Sequence, residues 1–222
     1  MSDEAGAGRL EASKTLDRGI RVLEVLARAE HGRGLTVTEL AAELGIGRPA
    51  VYRLVTTLEE HHLIVRRSDG RMRMGLGIRR LAAAVTPIIR SETRPILREL
   101  ADVIGATAHL TVAEGDEALG LVVIEPSWTV LHVAYRAGSR HPLEVGAAGR
   151  AILAGRAGLD EVVSSDGELQ SGAHGMALAV APAGEPGAVE ASVGVVSLSP
   201  LDPEVVAPRL RAAARAIAAI VR

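Results

Sequence analysis

The sequence predicts an α+β protein with an N-terminal winged helix-turn-helix domain, a helical linker, and a C-terminal α+β domain built on an antiparallel sheet. Two short helical patterns around a glycine turn precede an arginine-rich hairpin between residues 35 and 73. Helical spacing follows from 78 to 104, and β-rich segments dominate afterwards. We therefore expect a disordered tail at 1–13 and three structured parts at 14–77, 78–104 and 105–222.

The first domain opens with a helical pattern from Thr15 to Ala29. Its apolar stripe consists of Leu16, Ile20, Leu23, Leu26 and Ala27. Thr36 then suits the N-cap of a second helix, because Glu39 three residues later completes a capping box. The glycines of Gly45-Ile46-Gly47 end this helix, and Gly47 can cap a third helix that has Arg48-Pro49 in its first turn.

The third helix has one apolar face and one free face. The apolar positions are Val51, Leu54, Val55, Leu58 and Leu63, and the free face carries Arg48, Tyr52, Arg53, Thr56 and Thr57. Two strands follow, Ile64–Arg67 and Arg71–Met74, around an Asp-Gly turn of the kind that favours tight hairpins. This hairpin is the predicted wing, and its arginines are Arg66, Arg67, Arg71 and Arg73.

Arginine, tyrosine and threonine on a free helix face can donate hydrogen bonds to phosphates and base edges of DNA. An ordinary helical hairpin with solvated arginines is the alternative, but the ordered combination of helix, turn, helix and basic hairpin favours DNA binding. We predict that DNA is contacted by Thr36, Gly47, Arg48, Pro49, Tyr52, Arg53, Thr56, Thr57, Arg66, Arg67, Arg71 and Arg73.

Charge divides between the two halves of the chain. Residues 48–80 contain eight arginines and three acidic residues, a net charge of +5, whereas residues 99–202 contain fourteen acidic residues and four arginines, a net charge of −10. The overall charge of −2 conceals this asymmetry. We therefore expect only the N-terminal domain to approach a polyanion such as double-stranded DNA.

Several classes of protein are disfavoured by composition. The chain has no cysteine, which removes disulfides, thiolate metal sites and cysteine nucleophiles. No apolar run approaches the ~20 residues of a membrane span, and residues 1–13 lack the apolar core of a signal peptide. We expect a cytoplasmic protein with no membrane partner.

The linker pattern predicts a helix at Ile78–Val85, an interruption at Pro87, and a second helix at Ser91–Ile104. In the C-terminal domain the predicted strands are Thr107–Ala113, Ala118–Glu125, Thr129–Tyr135, Met176–Ala181 and Ala188–Leu198, with a turn at 184–187. The predicted helices are Val145–Arg156 and a final one from Asp202 or Pro203 to Val221.

No catalytic, metal-binding or cofactor motif is present. His109 and His132 lie on predicted strands and His141 and His174 in loops, without HxH or HExxH spacing. An enzyme that uses His109 or His132 as a base is the weakest alternative, because no partnering motif accompanies them. Trp128 and Tyr135 suit core packing better than ligand stacking. We expect no enzyme activity, cofactor or metal.

Three segments resemble the IclR family of bacterial transcriptional regulators. LDRGIRVLEVLA at 16–27, LTVTELAAELGIGRPAVYRLVTTLEEHHLI at 35–64 and MRMGLGIRRLA at 72–82 are similar to its DNA-binding domain, and HPLEVGAAGRAILA at 141–154 is similar to a segment of its effector domain. The resemblance covers nearly the whole chain. It implies a GAF-like C-terminal effector domain, and a homodimer or dimer of dimers on a palindromic operator.

The family also implies a small-molecule effector, whose carboxylate meets backbone amides at the start of a helix. The matching positions are Ala147, Ala148 and Gly149, although these small residues can equally serve close packing. Positions that complete the pocket map to Asp166, Gly175, Gly194 and Val196. Glycine and valine here replace the cysteine and serines common in the family, so an aromatic or apolar acid is favoured over a small polar acid.

The segment between Arg156 and Met176 is shorter than in the family, where it usually contains another helix. A second hypothesis therefore keeps the DNA-binding domain but reduces the C-terminal domain to an oligomerisation module without an effector.

Overall fold

The computed structural model describes residues 12–128, 133, 135–180 and 189–221. The chain divides into two compact units, Met1–Val85 and Thr86–Arg222. Within the described ranges, none of the helices combines the length and hydropathy needed to cross a membrane. Outside them lie most of the predicted tail at 1–13, most of the predicted strand Thr129–Tyr135 with His132, and the predicted turn at 184–187.

Helix α1 (Lys14–Ala27) begins after Ser13, whose hydroxyl accepts a hydrogen bond from the backbone N–H of Leu16. A single 3₁₀ turn, Ala29–His31, follows it. The predicted apolar stripe is only partly correct, because Leu16 and Ile20 are 64% and 48% exposed. Apolar residues cover two adjacent faces of α1, and only one of these faces packs in the core of the unit. The buried positions are Gly19, Val22, Val25 and Leu26.

The predicted helix-turn-helix is present as α2 (Val37–Leu44) and α3 (Arg48–Glu60). Both hydrogen bonds of the capping box form between Thr36 and Glu39. Gly45 ends α2 with a φ of +63°, a conformation that favours glycine. The core of this unit is formed by side chains from all three helices, including Val22, Leu40, Val51 and Val55.

The wing consists of β1 (Ile64–Arg66) and β2 (Met72–Met74), an antiparallel pair in which Ile64 lies opposite Met74. Met72 is fully buried, and its backbone also pairs with Leu35 ahead of α2. Pairing with Leu35 and burial of Met72 hold the base of the wing against the helices.

The linker is one helix, α4 (Gly77–Ile104), so the predicted interruption at Pro87 is wrong. Both prolines inside it, Pro87 and Pro95, are exposed. On an exposed face, water can bond the carbonyl that each proline leaves free, and the helix can bend away from the ring. The boundary between the two units falls within α4.

A six-stranded antiparallel sheet forms the second unit, with the strand order β5-β4-β3-β8-β7-β6. Two further helices belong to it, α5 (Gly146–Arg156) and α6 (Pro203–Ala218). The strands are β3 (Thr107–Glu114), β4 (Glu117–Ile124), β5 (Arg140–Pro142), β6 (Val163–Asp166), β7 (His174–Ala179) and β8 (Ala191–Ser197).

Helices cover both faces of this sheet. On β7, Met176 and Leu178 pack in one core with residues of α4 and α6, whereas Ala177 between them packs with residues of α5. This alternation follows from the two-residue period of a strand. The predicted α+β class is confirmed, and β3, β4, β7 and β8 lie where the sequence places them, within three residues at each end.

Candidate DNA-binding surface and effector pocket

The free face of α3 is exposed as predicted. Val51, Val55 and Leu58 anchor the helix, and Tyr52 on the opposite side is 52% exposed. The predicted contacts on or just before this helix are all exposed: Gly47, Arg48, Pro49, Tyr52, Arg53, Thr56 and Thr57. Thr56 and Thr57 donate their hydroxyl hydrogens to the carbonyls of Tyr52 and Arg53. In the described part of the chain, no ion pair or side-chain hydrogen bond engages the guanidinium of Arg48 or Arg53.

The predicted wing arginines have different environments. Arg71 Nη1 donates to Glu39 Oε2 and to the carbonyl of Gly34, both at 2.9 Å, and Arg73 Nε donates to the carbonyl of Arg33 at 3.0 Å. Arg66 Nε lies 3.6 Å from Glu59 Oε2. Arg67 is exposed and has no side-chain partner among the described residues. Arg71 and Arg73 therefore hold the wing in place, and Arg67 is free to bind another molecule.

Thr36, the remaining predicted contact, caps α2. Its backbone N–H donates to Glu39 Oε2 at 2.7 Å, and its hydroxyl accepts from the Glu39 backbone. These bonds to Thr36, followed by Arg71, hold the pKa of Glu39 below its ordinary value. The carboxylate thus connects the start of α2 to the wing.

The predicted anion site lies at the start of α5. Gly146, with a φ of +81°, donates its backbone N–H to Glu168 Oε2 at 2.8 Å. Ala147 and Ala148 are each 5% exposed and pack inside the unit. Gly149 serves close packing, because a Cβ there would lie 2.4 Å from the carbonyl oxygen of Leu143. The amide at the start of this helix is therefore already bonded to a carboxylate.

A cavity of about 220 Å³ lies beside this carboxylate. Two of the predicted pocket residues, Gly175 and Val196, line it. Asp166 instead pairs with His174, and Gly194 faces His109 in the sheet. The other lining residues are Val133, Tyr135, Ser139, Arg140, His141, Ser165, Glu168, Leu169, Gln170 and Ala173. Sequence reasoning missed these, because most come from the shortened segment and from β5, which carry no recognisable pattern.

A buried polar cluster adjoins the cavity. His109 Nδ1 lies 3.1 Å from Thr111 Oγ1, which in turn lies 3.3 Å from the hydroxyl of Tyr135. Burial lowers the pKa of His109 to about 3, and nearby His141 adds to the effect; burial also raises the pKa of Tyr135. A histidine with so low a pKa is a weak base, which argues against the enzyme alternative at this residue.

His141 is 7% exposed and lines the cavity. Its Nδ1 lies 3.0 Å from the carbonyl oxygen of Pro142, which can only accept, so Nδ1 is the donor of this bond. Its Nε2 has no hydrogen-bond partner in the described ranges. A buried ring nitrogen without a hydrogen-bond partner is uncommon, so a polar group of this cavity wall is left unsatisfied.

Trp128 does not pack in the core as predicted, because it is 65% exposed. Its indole N–H donates to the carbonyl of Asp102 at 3.0 Å, and its ring lies over Gly105. The Asp102 carboxylate accepts from the Ser127 N–H, which lowers its pKa. The indole N–H needs a hydrogen-bond partner, and it finds one in the Asp102 carbonyl while the ring stays at the surface. Across the described residues, no cluster of three or more potential metal ligands occurs.

Comparison with known protein families matches both units. The model of the IclR helix-turn-helix domain matches residues 15–68, and that of the bacterial transcriptional regulator IclR C-terminal domain matches residues 82–165.

Curated relatives are regulators. The chain is 31% identical over 144 residues to the HTH-type transcriptional regulator KipR of Bacillus subtilis, which covers 64% of this chain and 56% of that protein. It is 30% identical over 155 residues to the regulator Rv1719 of Mycobacterium tuberculosis, covering 69% and 59%. Identity to the transcriptional repressor IclR of Escherichia coli is 26%, covering 64% and 52%. The matches thus span little more than half the length of these relatives.

Solved structures share the fold. An IclR-family regulator from Rhodococcus sp. has a TM-score of 0.59 at 22% identity and covers 99% of this chain and 98% of its own. An IclR homologue from Microbacterium hydrocarbonoxydans, solved with 4-hydroxybenzoate, has a TM-score of 0.52 at 20% identity, covering 94% and 99%.

Proposed function

Because this chain belongs to the IclR family of bacterial transcriptional regulators, whose members are regulators and not enzymes, we propose that it binds operator DNA under the control of an effector. In this proposal α3 and the wing bind the DNA. The C-terminal unit binds a small organic acid with an aromatic or apolar body. We also propose a cytoplasmic location, which is where a protein would meet operator DNA.

The observation that carries the proposal is the pair of free arginines, Arg48 and Arg53, on the exposed face of α3. Their guanidinium groups can reach guanine in the major groove with two parallel hydrogen bonds. Gly47 has no side chain with which to cap α3, Pro49 has no N–H, and the N–H groups of Ala50 and Val51 donate to the Gly47 carbonyl. The backbone N–H of Arg48 therefore remains to donate to a DNA phosphate. The +5 charge of residues 48–80 attracts the polyanion as a whole.

We propose that the regulator acts as a homodimer, or a dimer of dimers, on a two-fold symmetric operator. Leu16 and Ile20 support this proposal, since they form an exposed apolar ridge on α1 that a second copy could cover. A dimer places two copies of α3 on successive major grooves, which doubles the number of base contacts.

The effector is proposed to occupy the 220 Å³ cavity beside α5. This volume lies below the usual ~300–1,000 Å³ of ligand pockets, so it suits a molecule no larger than a single ring. The relative solved with 4-hydroxybenzoate supports an aromatic acid. The alternative, an oligomerisation module without a ligand, is favoured by the short segment between α5 and β7, which contains β6 and no helix.

A gel-shift assay with DNA from upstream of the gene tests the DNA-binding surface. We expect the double variant Arg48→Ala, Arg53→Ala to lose specific binding by at least ~30-fold, because each bidentate arginine contributes ~1–3 kcal/mol. A matched control removes the same charge elsewhere: Arg209→Ala, Arg215→Ala changes two exposed arginines of α6. Equal affinity of the α3 variant and the control would contradict the assignment of α3.

A thermal-shift assay with 4-hydroxybenzoate separates the two roles of the C-terminal unit. A ligand that binds only the native state raises the melting temperature. No shift with any single-ring acid would favour the oligomerisation module.

A further inference from the structure

The start of α5 is occupied by a side chain from a different element. Val145 at the N-cap position has no side-chain oxygen with which to cap the helix, and Gly146 donates its N–H to Glu168 Oε2 at 2.8 Å. The other oxygen of the same carboxylate, Oε1, accepts from Arg150 Nη2 at 2.8 Å. The carboxylate is thus held by a backbone amide and a guanidinium of one helix.

Glu168 reaches this position from the loop between β6 and β7. Gly167 and Gly172 bound this loop with φ values of +67° and +75°, and the Gly167 N–H donates to the carbonyl of Ala173. The next residue, Leu169, covers Gly146: a Cβ built on that glycine would lie 2.6 Å from Leu169 Cδ1. The loop therefore closes over the start of α5.

A second, independent feature indicates that a ligand binds here. His141 lines the same cavity as Glu168, is 7% exposed, and keeps an Nε2 with no partner among the described residues. Its Cε1, bonded to Nε2, lies 3.9 Å from the Cβ position of Gly146. In the neutral ring Nε2 accepts a hydrogen bond, so a ligand with a hydroxyl group would satisfy it.

We propose that Glu168 is a tethered carboxylate that fills the effector's anion site in the free protein, and that an acidic effector binds by displacing it. This inference rests on the proposed function, because it assumes that the C-terminal unit binds an acid. The ligand class is a carboxylic acid with an apolar body and a hydroxyl donor. Its carboxylate takes the Gly146 amide and Arg150, and the loop carrying Glu168 and Leu169 moves off the helix.

Displacement has a measurable consequence. When a competing group occupies the site most of the time, the ligand binds only during the remaining time. Its apparent affinity is then its intrinsic affinity multiplied by the fraction of time that the site is free. Removal of the Glu168 carboxylate should therefore tighten the binding of an acid by about tenfold or more. It should change the affinity for a neutral analogue much less, because an uncharged group interacts more weakly with the Arg150 guanidinium.

The experiment compares full-length wild type, Glu168→Ala, Glu168→Gln and a control, Glu161→Ala, which removes an exposed carboxylate from the same segment. The first probe is propionate, which replaces the side chain lost in Glu168→Ala, with sodium chloride at equal ionic strength as its reference. Propionate should raise the melting temperature of Glu168→Ala and leave wild type and Glu161→Ala unchanged. An equal response of all variants would overturn the assignment of Glu168.

The second probe is 4-hydroxybenzoate, with 4-hydroxybenzamide as its neutral analogue, measured by calorimetry. We expect the acid to bind Glu168→Ala and Glu168→Gln at least tenfold more tightly than wild type. Equal affinities would overturn displacement and leave the proposed effector class intact. Propionate rescue without binding of the aromatic acid would instead contradict that effector class and retain Glu168 as the occupant of a carboxylate site.

Discussion

At the scale of single residues, the wing arginines divide into those that hold the fold and those that are free. Arg71 bonds to Glu39 and to the carbonyl of Gly34, whereas Arg67 at the tip has no side-chain partner in the described ranges. All four wing arginines are identical in the sequence pattern. Arg71 and Arg73 bond to residues more than thirty positions away, which only the fold brings close.

Arg67→Ala should weaken binding to every DNA sequence and reduce the slope of log affinity against log salt by about 0.9, the loss of one phosphate contact. Its melting temperature should stay that of wild type. Arg71→Ala should lower the melting temperature, because Glu39 and the Gly34 carbonyl lose a donor. Fluorescence anisotropy across a salt series, together with thermal unfolding, measures both effects. A lower melting temperature for Arg67→Ala would contradict the division.

His109 predicts a dependence of stability on pH. Its folded pKa, about 3, lies below the ordinary 6.5 because the ring is buried. Below pH 6.5 the unfolded chain therefore binds a proton at His109, whereas the native state binds it only at about pH 3. The stability contributed by neutral His109 is complete above pH 6.5 and falls as pH decreases, by at most ~1.4 kcal/mol per pH unit.

Urea unfolding at pH 7, 5.5 and 4.5 measures this slope. His109→Gln should be less steeply destabilised by acid than wild type, whatever its stability at pH 7. Tyr135 and His141 are the titratable side chains that face His109, and Tyr135 stays protonated throughout this range because burial raises its pKa. If the stability of His109→Gln fell with decreasing pH as steeply as that of wild type, the acid sensitivity would come from a group other than His109.

At the scale of elements, the position of α5 depends on close packing at a glycine. A Cβ on Gly149 would lie 2.4 Å from the carbonyl oxygen of Leu143, which is backbone and cannot rotate away. A Cβ on Gly175 would meet Ser165 Oγ at 2.8 Å, and that hydroxyl can change rotamer.

Gly149→Ala should therefore lower the free energy of unfolding by ~1–3 kcal/mol, and Gly175→Ala by clearly less. Chemical denaturation of the two variants makes the comparison. If Gly175→Ala lowered the free energy of unfolding more than Gly149→Ala, the close contact of α5 with Leu143 would not be the tighter of the two.

Elements with strong local signals could be predicted, and those without could not. The capping box, the turn at Gly45 and the β-rich composition of β3 and β4 depend on neighbouring residues. β5 and β6 were missed because each is three or four residues long, and backbone pairing with β4 and β7 alone defines it. The predicted interruption at Pro87 is wrong because proline disrupts a buried helix face more than an exposed one, and the sequence does not show which face of α4 is exposed.

At the scale of the whole molecule, the proposed operator should have two-fold symmetry. A duplex with two half-sites should bind an even number of chains, and inserting five base pairs between the half-sites should weaken binding by at least ~10-fold, because it turns one recognition helix to the far side of the DNA. Mass photometry of the complexes and gel shifts measure both outcomes. If one chain bound per symmetric duplex and the spacing had no effect, binding of the operator as a dimer would be contradicted.

The sequence by itself determined the helix-turn-helix, the basic wing, the division of charge and the α+β class, because each depends on residues close together in the chain. The tertiary structure decided which arginines are free, which glycines serve packing, and that Glu168 lies at the start of α5. These features join residues that are distant in sequence and share no pattern. Contacts of this kind exist only once the chain has folded, so local periodicity carries no trace of them.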